Sequence, residues 1–314
     1  MTGRLHSGHR FLLPRARHSA VRTMLDLRLL AVALVWGINF SVIKYAIRDF
    51  SPLSFTVVRF VLAALFLFAL MAVRREGFTV DRRDRLPIAV LGLIGITLYN
   101  LLFMEGLKHT TASHSALFIS MSPLFAAVMQ TLAGREKFTA SVAGGMFLAS
   151  AGAYLIIRST HGAIAFTSAT VTGDLMTIGA SVLWALYTML ARPLLTRYSP
   201  LTVTAYSVAA GALLLLPFSA AQLADQPWHA VSAGSWTALA FAAWIGGGMA
   251  YIFWYEGVRR LGVNRTIAYH YLVPFVAVVV AALFLGERIA PLTVLGGAAI
   301  LAGVALVQSN RSRT

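Results

Sequence analysis

The sequence predicts an all-α polytopic membrane protein with ten transmembrane helices, arranged as two inverted five-helix repeats. Of its 314 residues, 58% are hydrophobic and 12% are charged, whereas a soluble domain carries about 25% charged residues. Residues 113–136 form an apolar stretch that returns as a degenerate copy at 264–287. Each copy has a proline near its middle and a glutamate at its end, Pro123 and Glu136 in the first and Pro274 and Glu287 in the second. These observations predict both the class and the internal repeat.

Ten apolar segments come close to the roughly 20 residues that cross about 30 Å of hydrocarbon. They are residues 27–47, 52–73, 87–106, 112–133, 139–157, 173–191, 200–222, 234–256, 263–285 and 291–308. The uncharged linker 159–172 separates the fifth segment from the sixth. The predicted organisation is therefore a basic tail (1–26), a first five-helix repeat (27–158), the linker, a second five-helix repeat (173–308) and a short tail (309–314).

The basic residues predict the orientation in the membrane. With the N-terminus inside, 20 of the 26 lysines and arginines fall in inner tails and loops and five in outer ones, a bias typical of cytoplasmic loops. Both termini are therefore predicted to be cytoplasmic, in a multi-pass protein of the inner or plasma membrane. The arginine-rich start has too short an apolar cluster for a signal peptide. Met24 directly precedes the first segment, so the start of translation is open between Met1 and Met24.

The two halves match position by position. The matching pairs are Trp36 with Trp184, Ser51 with Ser199, Glu105 with Glu256, Pro123 with Pro274 and Gly152 with Gly303. Because each half has an odd number of segments, the second half enters the membrane in the opposite sense, as in many secondary transporters. A proline inside a helix leaves the carbonyl four residues earlier without its donor, here those of Ile119 and His270. Lipid cannot satisfy such a carbonyl, so the two broken helices predict the binding site.

Both halves carry an ordered set of short motifs. These are Trp36-Gly37-Ile38-Asn39-Phe40, Pro52 with Arg59-Phe60, and Pro123 with Glu136 and Gly144-Gly145, then Pro274, Gly286-Glu287, Gly296-Gly297 and Gly303 in the second half. Over residues 27–308 the set resembles the ten-helix EamA-type members of the drug/metabolite transporter superfamily. The resemblance implies a proton-linked or passive carrier or exporter of amino acids and other small metabolites. Ala185 and Ser207 replace the first half's Gly37 and Arg59, so the halves are not interchangeable.

Arg59 is the only charged residue well inside a predicted segment. It lies seven residues past Pro52, about 10 Å deep at 1.5 Å per residue. A central arginine costs roughly 2.5–3.5 kcal/mol on insertion scales and must face protein or water. Its planar guanidinium suits recognition of a substrate carboxylate. The structural alternative is a partner within the protein, for which Asp49, Glu105 and the amide of Asn39 are the candidates.

Three ionisable residues are candidates for proton coupling. Glu105 and Glu256 end the third and eighth segments on opposite faces of the membrane, which suits alternating gates or proton sites. Each is otherwise a helix-end carboxylate in the headgroup region. His270 lies near the bilayer middle and either carries a proton or is a neutral, hydrogen-bonded ring. Glu136 and Glu287 are expected to cap helix starts.

Polar and aromatic side chains concentrate at helical spacing in segments one, three, four, six, eight and nine, which the resemblance places around a central cavity. Individually, such side chains often only bond across helices, for about 0.6–2 kcal/mol. The predicted substrate-binding residues are Trp36, Asn39, Arg59, Asn100, Ser120, Trp184, Tyr251, Tyr269 and His270. Trp244, Gly248, Tyr251 and Tyr255 are predicted to share one face of the eighth segment. Small residues such as Gly145 and Gly303 are expected to let helices pack closely.

Other classes of protein do not fit the sequence. The chain has no cysteine, which removes disulfides, thiolate metal sites and cysteine nucleophiles. The net charge of +15 comes from basic residues between apolar runs, so the membrane explains it better than nucleic acid does. P-loop, HExxH and GxSxG patterns do not occur. We therefore expect neither a primary pump nor an enzyme, and neither a cofactor nor a metal.

The leading hypothesis is a secondary transporter of a small organic metabolite, such as an amino acid or a related compound. It would export this solute by alternating access around a midplane cavity. Its expected partners are the solute and the lipid bilayer, without nucleic acid. Two halves that pack on each other need no second chain, but the sequence leaves the oligomeric state open. A membrane-embedded enzyme and a non-transporting receptor or scaffold are the alternatives.

Overall fold

The structure, a computed structural model, describes residues 26–110, 112–135, 139–161, 170–285 and 290–309. Ten helices follow one another along these residues. Their bounds are α1 Leu27–Ala46; α2 Pro52–Val73; α3 Arg82–Gly92, Leu93–Leu98 and Tyr99–His109; α4 Ala112–Ser120 and Ser122–Leu132; α5 Ala140–His161; α6 Val171–Leu195; α7 Pro200–Asp225; α8 Ala233–Phe241, Ala242–Met249 and Ala250–Leu261; α9 Val263–Ile267, Ala268–Tyr271 and Leu272–Leu285; and α10 Pro291–Ser309. The predicted capping residues Glu136 and Glu287, the basic tail except for Asp26, and most of the linker lie outside the described residues.

The predicted all-α fold of ten membrane segments is confirmed. Nine helices in the described ranges are long and apolar enough to cross a membrane, and α4 adds a shorter apolar stretch, Leu117–Leu132. Two predicted boundaries are wrong, because α3 already begins at Arg82 and α8 continues to Leu261. Hydropathy marks where a helix meets hydrocarbon, whereas a helix itself continues through charged turns at the membrane surface.

Helix starts follow local capping chemistry. Asp26 precedes α1, and its carboxylate accepts hydrogen bonds from the backbone amides of Arg28 and Leu29 at 3.0 and 3.3 Å. Both α2 and α7 begin with proline directly after a serine, a position where the missing amide hydrogen costs nothing. These Ser-Pro starts are equivalent positions of the two repeats.

The inverted repeat is visible where α5 packs against α10. A Cβ atom on Gly145 would lie 2.6 Å from the carbonyl oxygen of Gly303, and one on Gly152 would lie 2.5 Å from that of Gly296. Gly145 and Gly152 are the repeat equivalents of Gly296 and Gly303. The contact is therefore isologous, with each residue meeting the other's equivalent, which is the signature of a two-fold relation. The small residues allow the two backbones to touch.

Both halves depart from regular α-helix at equivalent places. Residues 93–98 of α3 and 242–249 of α8 are π-helical, and α4 is interrupted at Met121 while α9 contains a 3-10 turn. The predicted shared face in the eighth segment is wrong for Trp244, which is 46% exposed while Tyr255 is fully buried. The π-turn holds extra residues, so positions before and after it do not keep a spacing of 3.6. Such turns often mark functional sites.

Candidate functional site

The centre of the molecule is filled by aromatic rings. We call Trp36, Trp184, Tyr251, Trp254 and His270 the central cluster. Their ring centroids lie between 5.1 and 6.2 Å apart in the contacting pairs, mostly edge to face or tilted. Each such pair contributes about 0.5–1.5 kcal/mol beyond the burial of its surface. The cluster draws on α1, α6, α8 and α9, so both repeats build it.

Repeat-equivalent residues meet at this centre. Trp36 and Trp184 pack edge to face with centroids 5.3 Å apart. Residues close to a two-fold axis contact their own equivalents, so this contact places the cluster where the two halves join. The Trp36 indole donates a hydrogen bond to the carbonyl of Gly246 at 3.1 Å, a carbonyl in the π-helical part of α8. The His270 ring stacks on Trp184 at 5.7 Å.

The two irregular helices meet directly. The Ser122 hydroxyl, next to Pro123 in α4, lies 2.9 Å from Nδ1 of His270, four residues before Pro274 in α9. Both side chains are buried. The hydrogen bond orients the imidazole ring among the aromatic rings of the central cluster. The sequence pointed to the two prolines but missed Ser122.

Arg59 is buried beside the central cluster. One guanidinium nitrogen donates to Oδ1 of Asn100 at 3.3 Å, and the guanidinium lies 4.3 Å from the centroid of Phe60 in a cation-π arrangement. It is also within electrostatic range of Tyr99 and Tyr251. Within the described ranges it has no carboxylate partner, and its Nε has no hydrogen-bond acceptor.

The partners predicted for Arg59 are engaged elsewhere. Asp49, in the loop that joins α1 to α2, accepts hydrogen bonds from the side chains of Ser232, which precedes α8, and Ser235 in the first turn of α8. Glu105 binds residues of its own helix. Asn39 has no polar contact with Arg59 in the described structure. The partner is Asn100, whose Oδ1 on α3 lies 3.3 Å from the guanidinium, whereas Asp49 lies in a loop and Glu105 lies near the end of α3. The amide of Asn100 also donates to the π-helical carbonyl of Ile96 at 2.7 Å.

Three predicted binding residues each have a buried polar atom without a hydrogen-bond partner in the described structure. These atoms are Nε of Arg59, Nε1 of Trp184 and Oδ1 of Asn39. Leaving such a group unbonded costs roughly 1–3 kcal/mol, and more when it is charged. Unpaired buried polar groups are uncommon and call for a ligand, an ion or water. Two donors and one acceptor are therefore available to a molecule bound here.

Two predicted binding residues lie apart from the cluster. The Tyr269 hydroxyl accepts a hydrogen bond from the backbone amide of Asp26 at the start of α1. The Ser120 hydroxyl is buried but donates to the carbonyl of Leu117 in its own helix at 2.7 Å. Sequence reasoning missed Tyr99 and Trp254, which also pack against Trp184. Trp254 occupies the position equivalent to Phe103 of the first repeat, and this aromatic match was the available signal.

One end of the molecule, which we call the Asp26 face, is closed by ion pairs between the two halves. Arg28 of α1 pairs with Glu256 of α8, and Arg260 of α8 pairs with Asp26 at 3.1 Å. Tyr269 of α9 joins the same group. These contacts tie the start of the first helix in one repeat to the last turns of the third helix in the other.

The opposite end, the Asp174 face, carries the equivalent residues in a different pattern. Asp174 is the equivalent of Asp26 and accepts a hydrogen bond from the Thr110 hydroxyl of the other half. Glu105, the equivalent of Glu256, binds Lys108 and His109 of its own helix at 2.7 and 3.1 Å. The glutamates thus lie at opposite ends, but only Glu256 forms an ion pair between the halves in the described residues.

Two five-helix repeats in opposite senses, joined at a buried polar and aromatic centre and closed at both ends by contacts between the halves, define a multi-pass membrane carrier. The chain belongs to the EamA-like transporter family, whose profile matches residues 23–158 and 171–309. The family resemblance predicted from the motifs is confirmed. The protein is accordingly a transporter rather than an enzyme.

Relatives and a solved structure agree with this assignment. The uncharacterized transporter YyaM of Bacillus subtilis is 31% identical over 280 residues, which cover 88% of this chain and 90% of YyaM. A probable terminal-alkyne amino-acid exporter of Streptantibioticus cattleyicolor is 30% identical over 284 residues, or 89% and 91% of the two chains. A crystal structure of a protein with 19% identity superposes with a TM-score of 0.78 and covers 89% of this chain and 94% of its own. That likeness supports the fold alone.

Proposed function

We propose that this protein is a secondary transporter that exports a small organic metabolite bearing a carboxylate, an amino acid or a close relative of one. The observation that carries the proposal is Arg59, a buried guanidinium with no carboxylate partner in the described structure. A buried charge normally has a charged partner. A substrate carboxylate supplies that charge only while it is bound.

The guanidinium geometry favours a planar anion. Asn100 occupies one terminal nitrogen of Arg59, whereas Nε has no acceptor. A carboxylate binds Nε and a terminal nitrogen as a bidentate pair, which is stronger and more directional than a single contact. The name of the Streptantibioticus relative, an amino-acid exporter, supports the same substrate class.

The central cluster fits the rest of such a substrate. Ring faces attract an ammonium group by about 0.5–2 kcal/mol and also accept apolar groups. Oδ1 of Asn39 can accept a hydrogen bond from the substrate ammonium, and Nε1 of Trp184 can donate a hydrogen bond to a substrate oxygen. In this structure the rings contact one another, so substrate entry requires the halves to separate at one face.

We infer an alternating-access cycle from the contacts at the two ends. Opening of the Asp26 face, which the distribution of basic residues predicts to be cytoplasmic, breaks the pairs Arg28–Glu256 and Arg260–Asp26. Opening of the Asp174 face breaks the Thr110–Asp174 hydrogen bond. Outward transport across the cell membrane then requires loading at the Asp26 face and release at the other.

Of the three candidates for proton coupling, His270 has the position that best suits the role. Glu105 and Glu256 are each engaged by basic residues near a helix end, whereas His270 contacts Trp36, Trp184 and Trp254 at the centre. A proton on this ring would add a positive charge next to the substrate site. Protonation would therefore compete with a substrate ammonium and assist binding of a carboxylate.

The test is uptake of labelled amino acids into proteoliposomes, combined with the substitution Asn100→Asp. The new carboxylate would lie at the position of the atom now 3.3 Å from the guanidinium and would pair permanently with Arg59. We expect the variant to fold and to lose transport, since its internal carboxylate replaces that of the substrate. Asn100→Ser, which adds no charge, should retain measurable transport.

Three results would contradict the proposal. Full transport by Asn100→Asp would show that Arg59 has only a structural role. Equal losses in both variants would assign the effect to Asn100 itself. Failure of the parent protein to move any carboxylate-bearing solute, while it moves neutral or cationic ones, would reject the substrate class.

A further inference from the structure

A second site lies on the Asp26 face, away from the central cluster. A groove of about 250 Å³ opens between α3, α7 and the loop 74–81. Its lining is apolar except for one basic side chain and consists of Phe78, Val80, Ile88, Ala89, Tyr206 and Ala210 with Arg85. It therefore has the form of a channel for a hydrocarbon chain with a cation beside it.

The walls of the groove are held in place. The Tyr206 hydroxyl donates to the carbonyl of Phe78, and Phe68 packs edge to face on Tyr206 at 5.1 Å and stacks on Phe78 at 6.4 Å. Nε of Arg85 donates to the carbonyl of Val80 at 3.3 Å. This contact orients the guanidinium and leaves its two terminal nitrogens without a partner in the described structure.

Basic charge around the groove exceeds what the protein neutralises. The carboxylates of this region are already engaged, Glu76 by Ser199 and Thr202, Asp81 by Arg83, and Asp84 by Arg197 and Tyr198. Around the groove, the arginines that have no carboxylate partner in the described ranges are Arg74, Arg75, Arg82 and Arg85. Arg82 and Arg85 are three residues apart on α3 and share one face. No carboxylate of the described chain neutralises these two arginines, so they can bind an anion.

We propose that this groove binds one anionic phospholipid, with an acyl chain along the apolar lining and the headgroup phosphate on Arg85 and Arg82. Basic pockets between membrane helices on the cytoplasmic side are suited to anionic headgroups. A soluble anion would account for the arginines but not for the apolar channel beside them. A zwitterionic lipid would fill the channel without neutralising the arginines. Only an anionic lipid satisfies both halves of the site.

The test is lipid binding to the purified full-length protein, followed by native mass spectrometry. Phosphatidylglycerol and phosphatidylcholine with identical acyl chains are titrated separately, and inorganic phosphate serves as the soluble anion. We expect one phosphatidylglycerol to be retained preferentially. The double variant Arg82→Gln/Arg85→Gln should bind it about 30-fold more weakly, because each arginine near an anionic headgroup contributes roughly fivefold.

Two further variants keep the test decisive. Arg158→Gln/Arg259→Gln removes the same charge from exposed positions on α5 and α8 and should leave retention unchanged. Ala89→Leu narrows the channel without changing charge and should weaken binding of phosphatidylglycerol. Equal retention of both lipids, equal binding by the parent and the Arg82/Arg85 variant, or full displacement of the lipid by inorganic phosphate would each overturn the proposal. None of these measurements depends on transport.

Discussion

Replacing Arg59 by methionine separates a substrate-binding role from a structural one. Methionine keeps the length and apolar stem of the side chain but removes the charge. A bound carboxylate would lose two charge-assisted hydrogen bonds at about 1.5–3 kcal/mol each. At 1.4 kcal/mol for each tenfold change, transport at low substrate concentration should fall by roughly 10²- to 10⁴-fold.

The effect of the same substitution on stability is expected to be small. The variant loses the hydrogen bond to Asn100, which leaves a buried oxygen unpaired at about 1–3 kcal/mol, and a cation-π contact of up to about 2 kcal/mol. It also avoids the free-energy cost of burying an arginine in the membrane, roughly 2.5–3.5 kcal/mol. The net change in the free energy of unfolding should therefore lie within about 2.5 kcal/mol of zero.

Counterflow in proteoliposomes measures the loss of transport, and loss of the monodisperse peak after heating measures the change in stability. Arg48→Met is the control, because Arg48 lies in the loop between α1 and α2 and its guanidinium packs over Tyr45. Transport by Arg59→Met at the parent's rate would refute a role of Arg59 in substrate binding. Unfolding of the variant with normal transport by the residual folded fraction would refute it equally, since Arg59 would then only support the fold.

Four further outcomes are expected. His270→Asn, which can keep a hydrogen bond to Ser122, should transport with a flat pH profile, and a profile like that of the parent would remove His270 from coupling. Glu256→Gln should shift the protein towards opening at the Asp26 face, which would be measured as faster labelling of a cysteine introduced there. Glu105→Gln breaks no ion pair between the halves and should leave the labelling rate unchanged. Gly303→Leu should lower the free energy of unfolding by more than the 1–3 kcal/mol typical of overpacking, because its Cβ would lie 2.5 Å from a backbone oxygen. The control is Gly144→Leu, whose Cβ has its nearest neighbour at 3.7 Å. Equal losses of stability in the two variants would contradict the close packing at Gly303. Hydrogen bonds from Ser232 and Ser235 hold the pKa of Asp49 below its usual value. The stabilisation that Asp49 provides is therefore present above about pH 4 and is lost as the pH falls through the lowered pKa. The melting temperature of Asp49→Asn should depend less on pH in that range than that of the parent, and the same pH dependence in both proteins would contradict this role of Asp49.

The sequence alone determined the class, the number of helices and the repeat. These features depend on local composition and on matching positions, such as Trp36 with Trp184 and Pro123 with Pro274, which can be read without knowing which helices touch. The burial of Arg59 was also predictable, because one charge in an apolar segment must avoid lipid. Its partner was not predictable, since Asp49 and Asn39 were equally reasonable in sequence.

Tertiary structure decided which side chains meet. The π-turn in α8 rotated Trp244 out of the face that a regular helix would have kept, because helical spacing assumes a constant number of residues per turn. The hydrogen bond between Ser122 and His270 joins residues 148 positions apart. The hydroxyl of Tyr269 binds the backbone at the start of α1 and does not join the central cluster. Equivalent residues of the two repeats also have different partners at the two faces, as Glu256 pairs with the other half whereas Glu105 binds its own helix. A pairing depends on the neighbour that packing supplies, and local sequence carries no record of that neighbour.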